Sequence, residues 1–449
     1  MEHGFTTDEW EACLKVLNIL KNDPFNNPDN LTFKTLVTDI YRQAKKQQKR
    51  EARVNRRLSD VEILQQTVIA GNAAAKTTDF VHNAQQNPDV FINELASPAW
   101  CYCCSEPYTR VHFFYHKLCP ACALENYEKR SLSPNLFGYT AVVTGGRVKI
   151  GYATVLTLLN LGATVVLTTR FPALALKQLQ QEQNYDDFKE RVLLYGLDLR
   201  NLKAVEDFVL YCHRNFSQID ILINNAAQTI KYPTDYYTPL IAGEQQLLAT
   251  KQGNLFPNGT PVTGIELLPG PGGFEFPVNR FGQPVDYRDK NSWNSELTDI
   301  GLEELLEVNL INHIAPYRLI AGLKPLMKAS AHPKRFVVNV TSSEGQFSYT
   351  NKTKYHPHTN MTKAALNMLT RTSAEEFSND GIYMTAVDVG WVSTGVGEQK
   401  RERLFSDMKM PPLDPVDGAM RIIHPIYESL YNNNDFNGVL LKNYKVVDW

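Results

Sequence analysis

The stretch AVVTGGRVKIGYATVLTLLNLGA, residues 141–163, places a glycine-containing turn between an apolar strand and an apolar helix. Small residues in such a turn let backbone N–H groups and the helix N-terminus approach a pyrophosphate. A glycine cluster alone is weak evidence, but its position between a strand and a helix strengthens the hypothesis. The stretch therefore predicts the first strand–helix unit of a nucleotide-binding sheet.

Apolar runs that are typical of buried strands recur from Leu136 to the end of the chain, with helical patterns between them. The predicted strands span residues 139–145, 163–169, 191–199, 220–226, 335–342, 382–390 and 438–443. Continuous Val, Ile and Leu runs alternating with helices are typical of a parallel sheet that is covered on both faces. We therefore predict an α/β fold with a doubly wound, seven-stranded parallel Rossmann sheet.

The chain divides into three zones of different composition. Residues 1–95 are polar and mostly helical by pattern, residues 96–134 carry five of the seven cysteines, and residues 135–449 carry the strand runs. The third zone contains a long insertion at about 230–292, rich in proline and glycine. Loops of this length in a compact domain are usually functional, and this one follows the C-terminal end of a strand, where such folds bind substrates. We expect it to be a substrate lid or a partner-binding arm.

Composition and charge limit the class of protein. The hydrophobic content of 43% and charged content of 21% are those of a globular protein, and a net charge of −2 gives no reason to expect a nucleic-acid partner. A basic stretch at residues 41–57 fits a solvated helix, although a helix that binds RNA, DNA or an acidic partner is the alternative. The sequence has neither the ~18-residue apolar run of a membrane span nor a signal peptide at its N-terminus. We expect a cytoplasmic protein without a membrane partner.

Two C-x-x-C pairs separated by fourteen residues form the cysteine cluster. Their cysteines are Cys101, Cys104, Cys119 and Cys122. Two such pairs place four thiolates around Zn²⁺, and a site with four protein ligands is structural rather than catalytic. Cys103 could replace a neighbour as a ligand, His112 or His116 could substitute, and a redox dithiol is the alternative. We predict a small zinc module that orders a segment too short to build its own core.

The glycine turn and five later motifs, taken in order, resemble the short-chain dehydrogenase/reductase family. Thr144, Gly145 and Gly151 match the turn T-G-x-x-x-G-x-G of the family, and Lys149 stands in place of its middle glycine. The other matching motifs are GLDL (196–199), NNAAQ (224–228), LEVNLINHIAPYRL (306–319), VVNVTSSEG (337–345) and DVGWVST (388–394). The resemblance implies a Rossmann fold and hydride transfer between a nicotinamide and a carbonyl or alcohol.

The resemblance implies a nicotinamide cofactor, and the basic residues favour NADP over NAD. In NAD-dependent members of this fold, an acid at the end of the second strand binds the ribose 2′-hydroxyl. Here that strand ends with Thr169 and Arg170, and a cation suits the 2′-phosphate of NADP. The further cofactor contacts that the resemblance implies are Arg147, Lys149, Ile150, Asp198, Asn225, Ala226, Lys363, Gly390 and Thr394.

The catalytic helix departs from the family pattern. In the family a tyrosine transfers the proton, a lysine one helical turn later lowers its pKa, and a serine orients the carbonyl. Motif matching assigns Ser342, Lys363 and the helix asparagine Asn309, but Thr359 stands where the tyrosine is expected. A threonine hydroxyl can orient a carbonyl, yet it is a poor general acid because its pKa lies far above the ~10 of tyrosine.

Two kinds of side chain could replace the missing acid. Tyr355 precedes Lys363 by eight residues, and some enoyl reductases of the wider fold use longer tyrosine–lysine spacings. Pro357 is expected at the first helical position, which places Tyr355 in the preceding loop. His356 and His358 are the other candidates.

Two functions therefore stay open. One is an NADP(H)-dependent oxidoreductase with an altered proton donor and an unknown carbonyl, alcohol or enoyl substrate. The other is an inactive NADP-binding pseudoenzyme that serves as a scaffold or signalling protein. The resemblance further implies a homodimer or homotetramer, formed through the helices that carry Asn309 and Lys363.

Overall fold

A computed structural model of the chain describes residues 4–74, 87–249, 279 and 281–449. It divides into two compact units, a smaller one with Met1–Glu62 and Leu95–Ser97, and a larger one with Ile63–Glu94 and Pro98–Trp449. Within the described residues, no helix combines the length and the apolar character needed to cross a membrane.

The smaller unit is helical. Helix α1 (Thr7–Leu20) begins at a capping box, in which the backbone amide of Thr6 donates to Glu9 and the amide of Glu9 donates to the Thr6 hydroxyl. Helix α2 (Asn30–Gln65) is 36 residues long and contains the basic stretch 41–57, which is exposed throughout. This exposure fits the interpretation of the basic stretch as a solvated helix.

The cysteine-rich segment belongs to the larger unit. It contains strands β1 (Phe91–Trp100) and β2 (Pro107–His112), which pair antiparallel, and helix α4 (Pro120–Lys129); helix α3 (Val68–Ala74) precedes them. Buried ion pairs join the segment to the start of α14 (Pro415–Asn432): Arg130 lies 2.8 Å from both Asp414 and Asp417. Removing one partner from a buried charge cluster is strongly destabilising, so this contact fixes the segment on the sheet domain.

The core of the larger unit is an eight-stranded sheet with the order β10-β9-β8-β7-β6-β3-β4-β5. Its strands are β3 (Thr140–Thr144), β4 (Thr164–Thr169), β5 (Val192–Gly196), β6 (Ile221–Asn224), β7 (Arg335–Thr341), β8 (Ile382–Asp388), β9 (Leu440–Lys442) and β10 (Lys445–Val447). The first seven are parallel and correspond to the seven predicted strands. The prediction was one strand short, because β10 returns antiparallel through a two-residue turn in which Asn443 and Tyr444 both have positive φ.

Helices cover both faces of the sheet, as the doubly wound prediction requires. They are α5 (Lys149–Asn160), α6 (Pro172–Leu179), α7 (Tyr185–Phe188), α8 (Leu202–Asn215), α9 (Thr234–Ala249), α10 (Leu302–Asn309), α11 (Ala315–Lys328), α12 (Pro357–Ser378), α13 (Glu398–Ser406) and α14. The neighbouring residues Val142 and Val143 are both fully buried, but Val142 packs in one hydrophobic core and Val143 in the other. This alternation along a buried strand places one core on each face.

The predicted insertion at about 230–292 is not wholly irregular. It starts with the 16-residue helix α9, whereas residues 250–278 and 280 lie outside the described residues. The buried carboxylate of Glu244 in α9 accepts hydrogen bonds from the amides of Ala173 (2.7 Å) and Leu174 (2.9 Å) at the start of α6. A carboxylate satisfies the free amides at a helix N-terminus, so Glu244 fixes α9 beside the nucleotide end of the sheet.

Candidate active site

Two side chains that were predicted to lie at the cofactor site hold the glycine turn after β3 in place. A Cβ atom at Gly151 would lie 2.2 Å from the carbonyl oxygen of Gly145, so only glycine fits there. The hydroxyl of Thr144 accepts hydrogen bonds of 3.0 Å from the amides of Asn225 and Ala226. The Asn225 side chain donates to the carbonyl of Thr144 in return, at 3.0 Å. These contacts lock the turn to the loop after β6.

Lys149 replaces the middle glycine of the turn but keeps a backbone conformation that glycine favours. Its φ is +52°, in the left-handed region, which costs an L-residue roughly 1–2 kcal/mol. The ammonium group lies 5.4 Å from the centre of the Phe281 ring. The substitution therefore adds a cation to the turn while the path of the backbone is preserved.

A cavity of about 370 Å³ lies at the carboxyl ends of β3 and β4. Nine predicted cofactor residues line it: Gly145, Arg147, Lys149, Ile150, Thr169, Arg170, Asp198, Asn225 and Ala226. Thr144, Gly151, Lys363, Gly390 and Thr394 were predicted with them but do not line it. Its volume falls in the range of small-molecule sites.

Two arginines make one wall of this cavity cationic. Arg147 is 8% exposed, and burial together with the neighbouring Arg170 lowers the pKa of Arg147 to about 10. The guanidinium of Arg170 packs against the rings of Phe171 (5.6 Å) and Tyr237 (4.6 Å). The carboxylate of Glu244 acts on Arg147 through its charge, and Arg170 acts in the same way on Asp198, but among the described residues neither arginine forms a salt bridge with them. A pair of cations held together in this way favours a bound anion.

Further lining residues of the cavity come from the insertion. Tyr232 and Tyr236 stack with ring centres 3.8 Å apart, and Tyr237 and Leu240 also line the cavity. These residues were missed from the sequence, although TDYYTPLIAGEQQLLA carries apolar residues at helical spacing. Pro239 and Gly243 made the segment resemble a loop, because both residue types are typical of irregular structure.

Asp198 lines the cavity but is already paired. Arg200 donates to both of its carboxylate oxygens, at 2.6 Å from Nη2 and 3.0 Å from Nε. Burial would raise the pKa of Asp198, but the hydrogen bond and charge of Arg200 lower it below its usual value. Asp198 is therefore an ionised and oriented carboxylate at the rim of the cavity.

The predicted catalytic lysine is buried behind the end of β7. Lys363 is 6% exposed, its Nζ donates to the carbonyl of Val340 at 2.7 Å, and burial lowers its pKa to about 8. Ser342 precedes the short 3₁₀ turn Ser343–Gly345, which packs on α12 so closely that a Cβ at Gly345 would lie 2.6 Å from the Lys363 backbone. The structure thus places the serine and lysine segments side by side.

Thr359, in the tyrosine position, is 3% exposed. Its hydroxyl oxygen is shielded from solvent and has no hydrogen-bond partner in the described part of the chain. Among the described residues, none exchanges a hydrogen bond with this hydroxyl. Thr359 therefore fills space inside the site.

The helix asparagine does not contact Lys363. Asn309 donates to the carbonyl of Leu305 within its own helix, at 2.6 Å. A π-helical turn, Leu310–Ile314, follows, and it turns Asn312 toward α12, where the side chain donates to Thr362 at 2.9 Å and to the Gln228 carbonyl at 3.0 Å. Sequence reasoning missed Asn312, and a π-turn has no sequence signal that would have found it.

Tyr355 lies in the loop before α12, which begins at Pro357 as predicted. The side chain is 37% exposed, the ammonium of Lys354 lies 5.7 Å from its ring, and its hydroxyl makes no hydrogen bond to any described residue. The structure does not bring Tyr355 into contact with Ser342 or Lys363.

The two histidines of this segment have different surroundings. His358 is buried, its Nε2 donates to the Thr229 carbonyl at 3.2 Å, and burial lowers its pKa. His356 has its ring stacked on Trp293 at 4.8 Å, and its Nδ1 lies 2.7 Å from the Trp293 carbonyl oxygen. Its Nε2 lies 3.7 Å from Oε1 of Glu344. Only His356 therefore faces a carboxylate of the serine-bearing turn.

Glu344 was not singled out from the sequence. Burial would raise its pKa, but the neighbouring His356, whose Nε2 lies 3.7 Å from Oε1, and Ser342 outweigh burial and lower the pKa of Glu344 to about 2. The same carboxylate also acts through its charge on Lys363. Glu344 therefore connects the predicted serine, the predicted lysine and His356.

The DVGWVST loop contacts the cysteine-rich segment. Gly390 has φ +79°, and its amide donates to Asp388 at 2.9 Å. The next amide, that of Trp391, donates to the hydroxyl of Tyr102 at 2.8 Å. Thr394 accepts a hydrogen bond from the amide of Val396, at 3.4 Å. Tyr102 thus links the cysteine pairs to the loop that the motif placed at the nicotinamide.

The four cysteines of the C-x-x-C pairs converge. Their sulfur atoms all lie within 4.8 Å of one another, and those of Cys104 and Cys119 are 3.7 Å apart. Tetrahedral zinc with Zn–S bonds of 2.3 Å needs sulfurs about 3.8 Å apart, so the cluster fits this ion. Cys103, His112 and His116 are not part of it; the His112 Nε2, for example, lies 2.7 Å from the Pro88 carbonyl.

Family models match both halves of the sheet domain. The model described as short chain dehydrogenase matches residues 139–239, and the model described as enoyl-(acyl carrier protein) reductase matches residues 287–412. Together the two matches cover half of the chain. The chain belongs to the short-chain dehydrogenase/reductase family.

Individual relatives differ in how much of the chain they match. An uncharacterized protein of Acanthamoeba polyphaga mimivirus is 34% identical over 73% of this chain and 71% of its own length. A (+)-neomenthol dehydrogenase of Capsicum annuum is 29% identical over 46% of this chain and 56% of its own length, so the match spans little more than half of that enzyme. Among solved structures, the Pseudomonas aeruginosa RhlG/NADP complex is 17% identical, covering 69% of this chain and 96% of its own, with a TM-score of 0.47.

Proposed function

We propose that the protein is an NADP(H)-dependent oxidoreductase whose proton donor differs from that of its family. The observation that carries this proposal is the cavity beside the glycine turn, which both Arg147 and Arg170 line and in which the charge of Arg170 acts on Arg147. The ionised Asp198 also lines the cavity but is paired with Arg200, so the two arginines can serve a phosphate group. Family membership makes a nicotinamide dinucleotide the natural ligand of this site.

The residues present fit NADP in three respects. The bare surface at Gly145 and Gly151 lets the pyrophosphate approach the backbone, as a Cβ at either position would contact the loop after β6. Arg170 and Arg147 would hold the 2′-phosphate at the end of β4. Lys149 brings a third cation to the turn. This charge distribution supports NADP over NAD.

The second half of the site supports redox chemistry. NADPH, when bound, supplies a hydride. Lys363 is buried and its pKa is lowered to about 8, so a modest change in surroundings decides its charge. Ser342 lies at the adjoining turn, where its hydroxyl can orient a carbonyl. The (+)-neomenthol dehydrogenase relative supports an alcohol–carbonyl pair as the substrate class.

We also propose that Zn²⁺ binds the four converging cysteines. All four positions of a tetrahedral ion would be filled by thiolates, so the ion would have a structural function. The module it orders carries Tyr102, whose hydroxyl holds the amide of Trp391. Zinc would thereby support the nicotinamide side of the cofactor site.

One observation favours the alternative, a non-catalytic NADP-binding scaffold. The Thr359 hydroxyl is buried and unpaired in the described chain, and Tyr355 contacts neither Ser342 nor Lys363.

The two functions differ in turnover. NADPH oxidation with benzaldehyde, cyclohexanone, isatin and crotonyl-coenzyme A tests the proposal: the oxidoreductase consumes NADPH with at least one of them. Tight NADPH binding without consumption by any compound of these carbonyl and enoyl classes would support the scaffold.

A further inference from the structure

We infer that His356 is the proton donor of this site, in place of the family tyrosine. This inference rests on the proposed oxidoreductase function. It is carried by the position, the hydrogen bonds and the backbone conformation of His356, whose ring is 9% exposed and faces the serine-bearing turn.

The position follows from helix geometry. Side chains on an α-helix point back toward its N-terminus, so a tyrosine at position 359 would extend over the preceding turn. His356 is the residue at that turn: its carbonyl accepts the amide hydrogen bond of Thr359 at 3.1 Å. His356 therefore lies at the turn toward which a tyrosine side chain at position 359 would extend.

The tautomer of His356 is fixed by its surroundings. A backbone carbonyl can only accept, so the Nδ1 atom, 2.7 Å from the Trp293 oxygen, must carry a hydrogen. The atom left to gain or lose a proton is Nε2, which lies 3.7 Å from Oε1 of Glu344. Nε2 is therefore the atom that would donate a proton, and Glu344 is the carboxylate that lies beside it.

The backbone of His356 is held in an uncommon conformation. Its φ of +41° and ψ of +52° are left-handed, which costs a non-glycine residue about 1–3 kcal/mol. Two contacts hold it there besides the Nδ1 bond: the His356 amide donates to the Ser295 carbonyl at 2.8 Å, and the ring stacks on Trp293. A strained backbone conformation persists only where several contacts hold it, and such conformations are common at functional sites. Here it aims the imidazole at the turn of Ser342 and Glu344.

NADPH and His356 together account for the hydride and the proton that reduction of a carbonyl requires. In the reductive direction the carbonyl carbon gains the hydride that NADPH supplies, and the carbonyl oxygen gains the Nε2 proton of His356. The carbonyl is reduced to an alcohol, NADPH is oxidised to NADP⁺, and the neutral imidazole regains a proton from water. Glu344, whose side chain is 25% exposed, stays ionised beside Nε2 throughout. In the oxidative direction the neutral Nε2 accepts the hydroxyl proton.

The test uses the full-length protein and whichever compound of the four named above the wild type reduces fastest. His356→Asn and His356→Gly both tolerate the left-handed backbone, so neither should introduce steric strain. We expect kcat to fall about 10²- to 10⁴-fold in each variant, the usual contribution of a general acid. NADPH affinity, measured by fluorescence titration, should stay within about twofold of wild type, because the cationic cavity is intact.

Chemical rescue separates a proton donor from a merely structural side chain. Imidazole and substituted azoles should restore turnover in His356→Gly, with rates that follow the acidity of the azole, and should not restore it in His356→Asn. Rescue independent of azole acidity, or a His356→Asn enzyme with wild-type kcat, would overturn the inference and leave the proposed function standing. A wild type that reduces no carbonyl or enoyl compound would overturn both.

Discussion

The backbone amide of Trp391 donates a 2.8 Å hydrogen bond to the hydroxyl of Tyr102, a residue between two cysteines of the proposed zinc site. The bond joins the cysteine-rich segment to the loop that follows β8, the sixth parallel strand of the sheet. The cysteine-rich segment therefore contributes directly to the cofactor side of the sheet domain.

Tyr102→Phe should weaken NADPH binding about tenfold, because the partly buried amide of Trp391 loses its partner at a cost of ~1–3 kcal/mol. Isothermal titration calorimetry measures the effect. Tyr108→Phe is the matched control, since that hydroxyl donates to the His116 carbonyl at 2.7 Å inside the same module. Equal affinities in Tyr102→Phe and wild type would remove the proposed link.

Arg170→Asp should lower NADPH affinity about ten- to a hundred-fold and leave NADH affinity unchanged or higher. The expected loss is that of one charge-assisted contact to a phosphate, ~1.5–3 kcal/mol. Fluorescence titration with both dinucleotides gives the ratio. Lys177→Asp, on the exposed face of α6, makes the same change in net charge and should leave the ratio unchanged. Equal wild-type affinities for NADPH and NADH would contradict the assignment of the cavity.

Zinc should co-purify at one ion per chain when the protein is prepared in reducing, chelator-free buffer. Cys104→Ser should lose most of the metal, because a serine hydroxyl stays protonated and is a poor ligand for this ion. Cys103→Ser should retain it, because Cys103 lies beside Cys101 and Cys122 but is not one of the four converging sulfurs. Elemental analysis of the three proteins decides the matter. A wild type with well under one zinc ion per chain, or equal loss in both variants, would refute the ligand set.

Glu344 should contribute stability that depends on pH. Its pKa is lowered from 4.5 to about 2 in the folded protein, so the contribution is present above pH 4.5 and is lost as the pH falls toward 2. The full difference corresponds to about 3 kcal/mol. In urea denaturation, the stability gap between wild type and Glu344→Gln should be largest near pH 6 and should narrow as the pH is lowered to 3. Glu344→Asp should keep part of the pH dependence. A stability difference between wild type and Glu344→Gln that does not change with pH would exclude the ion pair of Glu344 with His356.

Much of the fold could be predicted from local pattern. Apolar runs located all seven parallel strands, because a strand buried on both faces must be continuously hydrophobic. Strand β10 was missed since its three residues carry no such run and depend on the turn at Asn443 and Tyr444. The start of the insertion was taken for a loop because Pro239 interrupts a helix that tertiary contacts, among them those of Glu244, hold in place.

The parts of the candidate site that a local motif defines could be predicted from the sequence. The parts that form where distant segments of the chain meet could not. The turn from Thr144 to Gly151 and the four cysteines follow from spacing alone. The pairing of His356 with Glu344 and Trp293 joins three segments, and no local pattern encodes it. Self-association stays a prediction; α12 exposes Met361 (56%) and Met368 (58%), as a helix that packs against a second copy would.

Transfer of deuterium from NADPH deuterated at C4 of the nicotinamide tests the central claim most directly. The protein is incubated with each of the C4 diastereomers and with benzaldehyde, cyclohexanone, isatin or crotonyl-coenzyme A, and the products are examined by mass spectrometry. An NADP(H)-dependent oxidoreductase should place deuterium from one diastereomer on the reduced carbon of at least one product. NADPH that binds tightly yet transfers no deuterium to any of these carbonyl and enoyl compounds would contradict the account.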